Sequence, residues 1–124
     1  MSESNFYLVD LYKFHWNERA KTSKELYGFP KDFYLKVEEL IRTVESKEEK
    51  EKIVRITKDI IKCRLRKILN LTLNDFFSEQ PTINSQVQKL TNEETEFYRQ
   101  IESAIARFLA QTLTKIVKGG GFEV

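Results

Sequence analysis

Reactive side chains are scarce in this chain. One histidine, His15, and one cysteine, Cys63, stand among 124 residues. A zinc site or a histidine-based catalytic pair needs partners at fixed spacing, and neither residue has them. A single cysteine cannot close an internal disulfide, which suits a reducing interior. Two prolines and four glycines are little material for the turns of a many-stranded sheet, so helices are favoured. No apolar run approaches the roughly 20 residues that span a bilayer. The polar start Met1–Asn5 lacks the charged and apolar regions of a signal peptide. An intracellular chain without membrane contact is expected. No Gly-x-Gly or Gly-Lys-Ser/Thr loop is present to cradle phosphate, and nothing calls for a cofactor. The net charge of +2 is too small to imply a nucleic-acid partner by itself.

What is present is the material of one folded helical domain. Hydrophobic residues make up 40% and charged residues 32%, a balance that supports a core. The pattern predicts an all-α bundle of about four to five helices with one long central helix. The first helix covers about Phe6 to Ala20, with Ser4 or Asn5 as its cap. The second starts at Pro30 or Lys31, where proline's missing N–H costs nothing. Its stripe is Phe33, Val37, Leu40, Ile41 and Val44. Ser46-Lys-Glu-Glu49 reads as a capping box opening the long helix, which runs to about Leu73. The wide apolar band of that helix implies several neighbours. Phe76 to Leu90 reads as a loop. Thr91-Asn-Glu-Glu94 opens a last helix with Phe97, Ile101, Ala104, Ile105, Phe108, Leu109, Leu113 and Ile116 turned inward. Residues 1–118 form the helical domain. Gly119-Gly-Gly121 ends it, and 119–124 reads as a linker or tail.

Candidate catalytic groups do not assemble. Cys63 lies beside Arg64 in the long helix, and a lone helical cysteine is normally a small core residue. Asp32 complements the positive end of the second helix. Glu38 and Glu39 are adjacent and point in different directions on a helix. Asn70-Leu-Thr72 matches a glycosylation acceptor without meaning inside a helix. No catalytic, cofactor-binding or metal residue is assigned.

Two features point to surfaces. Lys58, Lys62, Arg64, Arg66 and Lys67 are five cations against Asp59, a local net charge of +4. They serve either as contacts to nucleic-acid phosphate or as partners for carboxylates of another helix or subunit. Pairing is favoured, because the last helix supplies Glu93, Glu94, Glu96 and Glu102 against Arg99. Aromatics crowd the first third of the chain. One short helix cannot turn Phe6, Tyr12, Phe14 and Trp16 all inward, so these four are candidate subunit-interface residues. Phe29, Pro30, Phe33 and Tyr34 read as a packing corner between two helices.

Four segments together resemble the helical domain of an archaeal GINS subunit of the type in which that domain comes first. They are Glu18-Arg19, Leu26-Tyr-Gly-Phe-Pro-Lys-Asp-Phe-Tyr34, Arg64-Leu-Arg-Lys-Ile-Leu-Asn-Leu71 and Leu90-Thr-Asn-Glu-Glu-Thr-Glu-Phe-Tyr98. Their order and spacing carry the resemblance, which covers about Phe6 to Lys118. It implies a non-enzymatic, cytoplasmic and chromosome-associated scaffold of DNA replication. The implied partners are other GINS subunits in a tetramer, the MCM helicase and a RecJ-like protein; weak DNA contact is expected only from the basic run. The resemblance also implies a small β-rich domain after the helical one in this subunit type, and the three residues after Gly121 are too few to supply it. The alternative expectation is a helical nucleic-acid-binding module using the basic run 58–67. A thiol enzyme built on Cys63 and His15 is the least supported.

Overall fold

The computed structural model describes residues 6–22, 25–77 and 84–121. They form five helices: α1 Leu8–Ala20, α2 Phe33–Thr43, α3 Lys47–Phe77, α4 Asn84–Val87 and α5 Asn92–Gly119. No strand occurs among the described residues. The expected all-α bundle with one long central helix is the architecture observed. The 31-residue α3 is about 46 Å long at 1.5 Å per residue. The helices α1, α2 and α5 all pack against it.

Local chemistry sets the helix ends. Before α1, Asp10 reaches back to accept the Tyr7 N–H at 2.8 Å, which satisfies one of the free donors of a helix start. Ser4 and Asn5 lie outside the described residues. The second helix begins later than proline chemistry predicts. Pro30 instead opens a tight turn, its carbonyl accepting the Phe33 N–H at 3.1 Å, and Asp32 occupies the N-cap of α2. Ser46 accepts the Glu49 N–H at 3.4 Å at the start of α3. The Thr91 box is complete: Thr91 Oγ1 accepts from Glu94 N at 3.2 Å and Glu94 Oε1 accepts from Thr91 N at 3.0 Å. The helix α3 continues past Leu73 to Phe77, and α4 occupies part of the stretch read as a loop.

Two apolar cores flank α3 along its length. The first joins Phe6, Leu11, Phe29, Phe33, Val37, Leu40, Ile53, Ile56 and Ile60. At its centre, Phe33 packs on Phe29 at 4.3 Å and on Phe14 at 5.1 Å between ring centroids. The second core joins Leu26, Ile68, Leu71, Leu90 and Tyr98. The buried stripe of α3 thus passes from Ile60 to Ile68, and the position between them is Arg64.

The wide apolar band of α3 finds the several neighbours its width implied, α1, α2 and α5, but they cover only part of it. Ile61, Leu69 and Leu73 are exposed, as is Phe77 at the helix end. The expected inner side of the last helix is corrected more sharply. Only Glu94 and Tyr98 of α5 are buried, while Phe108, Leu113 and Ile116 are 63%, 52% and 62% exposed. That face continues past the end of the second core, where the described residues supply nothing to cover it.

The core contacts make Phe33 the most costly single truncation among the aromatics. Phe33→Ala is expected to lose about 3–5 kcal/mol of stability. Leu35→Ala, half-exposed on the same helix, is expected to stay within about 0.5 kcal/mol of the parent. Urea unfolding of the two variants checks the difference.

Candidate assembly surface

The side chain of Arg64 is fully buried between the two apolar cores. An unpaired cation there would be prohibitive. Every one of its N–H donors is used. Nε donates to Glu94 Oε2 at 2.6 Å and one Nη2 hydrogen to Glu94 Oε1 at 2.7 Å, a bidentate fork. Nη1 donates to Glu18 Oε1 at 2.5 Å and to the Tyr27 carbonyl at 2.8 Å. The second Nη2 hydrogen goes to the Lys89 carbonyl at 2.9 Å. The guanidinium also lies 3.7 Å above the ring of Phe29, a cation–π contact.

The neighbours are equally occupied. Lys67 donates to Glu18 Oε2, and to the Glu18 carbonyl at 2.7 Å. Tyr34 O–H donates to Glu94 Oε2 at 2.7 Å. Two cations face two carboxylates, so the centre is electrically balanced. Burial alone would favour a neutral guanidine, but hydrogen bonds and charge from Glu94 and Glu18 outweigh it and hold Arg64 above its ordinary value. Burial and then Glu94 push the Tyr34 phenol up in turn.

This centre fastens five parts of the chain to α3. Glu18 comes from α1, and Tyr27 and Phe29 from the segment before α2. Tyr34 belongs to α2 and Lys89 to the segment before α5. Glu94 is in the first turn of α5. The two segments also run side by side: Phe29 N–H donates to the Lys89 carbonyl at 3.2 Å and Asn92 N–H to the Lys31 carbonyl at 3.0 Å. Lys31 Nζ adds bonds to the Gln88 and Leu90 carbonyls. With its first turn anchored this way, α5 leaves the second core in a fixed direction.

The structure divides the candidate residues. In the basic run, Arg64 and Lys67 are buried in the charge centre and open to no outside ligand, which corrects their reading as phosphate contacts. Lys58, Lys62 and Arg66 are exposed. Of the four carboxylates offered by the last helix, Glu94 meets Arg64. Among the four candidate interface aromatics, Phe6 and Phe14 are corrected to core positions. Phe6 folds back before α1 and meets Phe33 edge-on at 5.8 Å, and Phe14 packs on Phe29 at 5.0 Å. Tyr12 and Trp16 are 39% and 74% exposed and, with Val9, share one face of α1. Phe29 and Phe33 are buried, with Pro30 and Tyr34 half-buried beside them. His15 pairs with Asp59 at 2.5 Å, and this hydrogen bond holds the Asp59 carboxyl below the usual range. Cys63 is half-buried. Among the described residues no group of three or more His, Cys, Asp or Glu is placed to hold a metal. No helix among them is long and apolar enough to cross a membrane.

Glu18 is the residue that charge patterning overlooks. It follows Leu11 and Phe14 at helical spacing on the inward face of α1, a position where a carboxylate requires a buried cation. Arg64 shows the same signature between Ile60 and Ile68. A second acidic pair lies at the edge of the bare face. Tyr98 O–H donates to Asp75 Oδ2, while Asp75 Oδ1 is buried without a hydrogen-bond partner among the described residues. Burial, then the charge of Asp75, holds the nearby Glu102 carboxyl above its usual range.

A family model described as Sld5: GINS complex protein helical bundle domain matches residues 6–113. The chain therefore belongs to the GINS helical-bundle family, which gives it a role in the GINS complex of DNA replication, alongside other GINS subunits. No curated protein and no solved structure matches it. The four segments whose order resembled this family all supply residues to the Arg64 centre or to the second core beside it.

Two outcomes follow from the charges. Arg64→Met strands Glu18 and Glu94 as buried carboxylates opposite Lys67 alone, with an expected cost of about 3–5 kcal/mol. Arg66→Met, two residues on but exposed, is expected to change stability by less than about 0.5 kcal/mol. Denaturant titration separates the two. For Glu102, a raised folded pKa means its favourable contribution is full below the unfolded value of about 4.3 and is lost as pH rises through the folded value. Glu102→Gln removes that loss. Its thermal midpoint is expected to exceed the parent's at neutral pH, with the gap closing in acid below the carboxylate range.

Proposed function

We propose that this chain is a non-enzymatic scaffold subunit of an archaeal GINS complex. It joins other GINS subunits in a four-chain assembly that supports the MCM helicase at the replication fork and engages a RecJ-like partner. Its place of action is the chromosome in the cytoplasm. Residues 1–118 serve as the helical scaffold domain and 119–124 as a linker or tail.

The observation that carries this reading is the bare apolar face of α5. Beyond Tyr98 no residue of the helix is buried within the chain. Ile101, Ile105, Phe108, Thr112 and Ile116 nonetheless recur at helical spacing on the same face as the buried Glu94 and Tyr98. Ile101, Ile105 and Thr112 on that face are half-buried, while Phe108 and Ile116 are exposed, and exposed apolar surface of this kind marks an interaction site. Leu69, Leu73 and Phe77 of α3 add further exposed apolar surface, and the Val9, Tyr12 and Trp16 face of α1 supplies another. Multiple faces suit a subunit that touches more than one neighbour. The Arg64 centre provides the rigidity that such a surface needs, because it fixes the α5 N-terminus against α3. Rigid interface elements lower the ordering cost of association.

Placing charge on the bare face tests the reading. Phe108→Glu with Ile116→Glu is expected to abolish assembly with the partner GINS subunits and leave helical content by circular dichroism unchanged. Light scattering reads the assembled mass against the 14.7 kDa single chain. A doubly charged variant that assembles like the parent would remove α5 from the interface. A parent that stays monomeric beside its partner subunits would remove the scaffold reading.

A further inference from the structure

The outer face of α3 carries a feature that the assembly reading does not use. Arg55, Lys58, Lys62 and Arg66 recur at spacings of three, four and four, and so share one helix face. Together they cover about 16 Å of the helix at 1.5 Å per residue. All four are exposed. None forms an ion pair among the described residues, whereas Arg19, Lys36, Arg42, Arg64 and Lys67 all do. Four cations without an ion pair among the described residues are therefore aligned on one face of α3.

The one carboxylate inside this stretch is already engaged. Asp59 is held by His15 at 2.5 Å and faces Arg19 at 3.8 Å, both from α1. Its charge is thereby offset, and Arg19 is drawn toward the row. Two shallow depressions meet along the line. Arg55 and Lys58 border both, and Arg19, Asp59 and Lys62 line the second. Glu51 lines the first and marks the acidic end of the row.

We propose that Arg55, Lys58, Lys62 and Arg66, with Arg19, bind the phosphodiester backbone of nucleic acid. A row of evenly spaced cations beside a concave track fits a linear polyanion of repeating charge. No Phe, Tyr or Trp lines either depression, and the His15 ring of the second is engaged with Asp59, so the contact is electrostatic and independent of base sequence. The active set differs from the contiguous basic run 58–67. Arg64 and Lys67 drop out because they are buried, and Arg55 and Arg19 enter because the fold brings them to the same face. This proposal stands independently of the α5 interface and holds whether or not that surface assembles subunits.

Fluorescence anisotropy with the full chain and a labelled oligonucleotide, single-stranded in one arm and duplex in the other, tests it. Four phosphates neutralised by the row itself, with Arg19 shared with Asp59 and left out of the count, predict that affinity falls about 50-fold for the single strand and about 150-fold for the duplex between about 50 and 200 mM salt. Arg55→Glu, Lys58→Glu and Lys62→Glu together are expected to weaken binding at least about 10-fold at low salt, by loss of phosphate neutralisation. The corresponding triple Gln variant guards against a folding defect and is expected to flatten the salt slope. Arg107→Glu with Lys115→Glu, on α5, is expected to bind like the parent. Salt-insensitive binding, undiminished binding by the triple Glu variant, or an equal loss in the α5 variant would each overturn the proposal. So would a poly-glutamate chain that binds the row as tightly as DNA, since that would assign it to an acidic protein.

Discussion

The structure depends on one buried cation. Arg64 sits where the apolar stripe of α3 should carry an isoleucine or leucine, between Ile60 and Ile68. Its five donors reach two carboxylates and two backbone carbonyls. Each acceptor lies on a different part of the chain. An apolar residue would pack there with almost any neighbour. A guanidinium accepts only the arrangement that satisfies all of its bonds, because each unmet donor is left in a water-free site. A buried ion pair is not by itself a large source of net stability, since desolvation offsets much of the attraction. Its effect here is to select one mutual placement of α1, α3 and α5 over competing packings.

That placement has a consequence for the surface. The first turn of α5 is held by the Thr91 box and by Glu94, which serves the cap, Tyr34 and Arg64 at once. The remainder of the helix then leaves the second core with an apolar face and no cover. A helix this exposed on its apolar side has two routes to stability: association, or propensity alone. The composition favours association, because Phe108, Leu113 and Ile116 stand exposed as large apolar side chains among the alanine and charged residues of the helix. Membership of the GINS helical-bundle family gives that face its natural setting. The basic row on the outer side of α3 is a separate surface, and its cations are open because the two buried ones are committed inside.

Much of the fold was legible in the sequence, and the reasons are local. Capping signals at Ser46 and Thr91 depend on residues within one turn, so they read directly. The Phe29–Phe33–Tyr34 corner follows from helical spacing after a proline turn. The start of α2 shifted because Pro30 took the first position of a turn. What could not be read was which apolar faces find a neighbour. The stripes of α1, α3 and α5 look alike in sequence, yet the chain covers only part of each. Charge produced the other error. Counting Lys58 to Lys67 as one patch ignored that only residues three or four apart share a helix face, so a contiguous run of ten residues wraps around the helix and divides between inside and outside. Glu18 and Arg64 were visible as charges on apolar stripes. Pairing them requires knowing that α1 returns beside α3, which is a tertiary fact.

The central claim is that Arg64 and Glu94 act as a unit joining α3 to α5. A double-mutant cycle tests it most directly, with Arg64→Met, Glu94→Gln and the combined variant unfolded in urea beside the parent. The account predicts a coupling of about 2 kcal/mol or more, in the upper part of the range for residues sharing a network. Losses that add to within about 0.5 kcal/mol, the behaviour of independent sites, would contradict it.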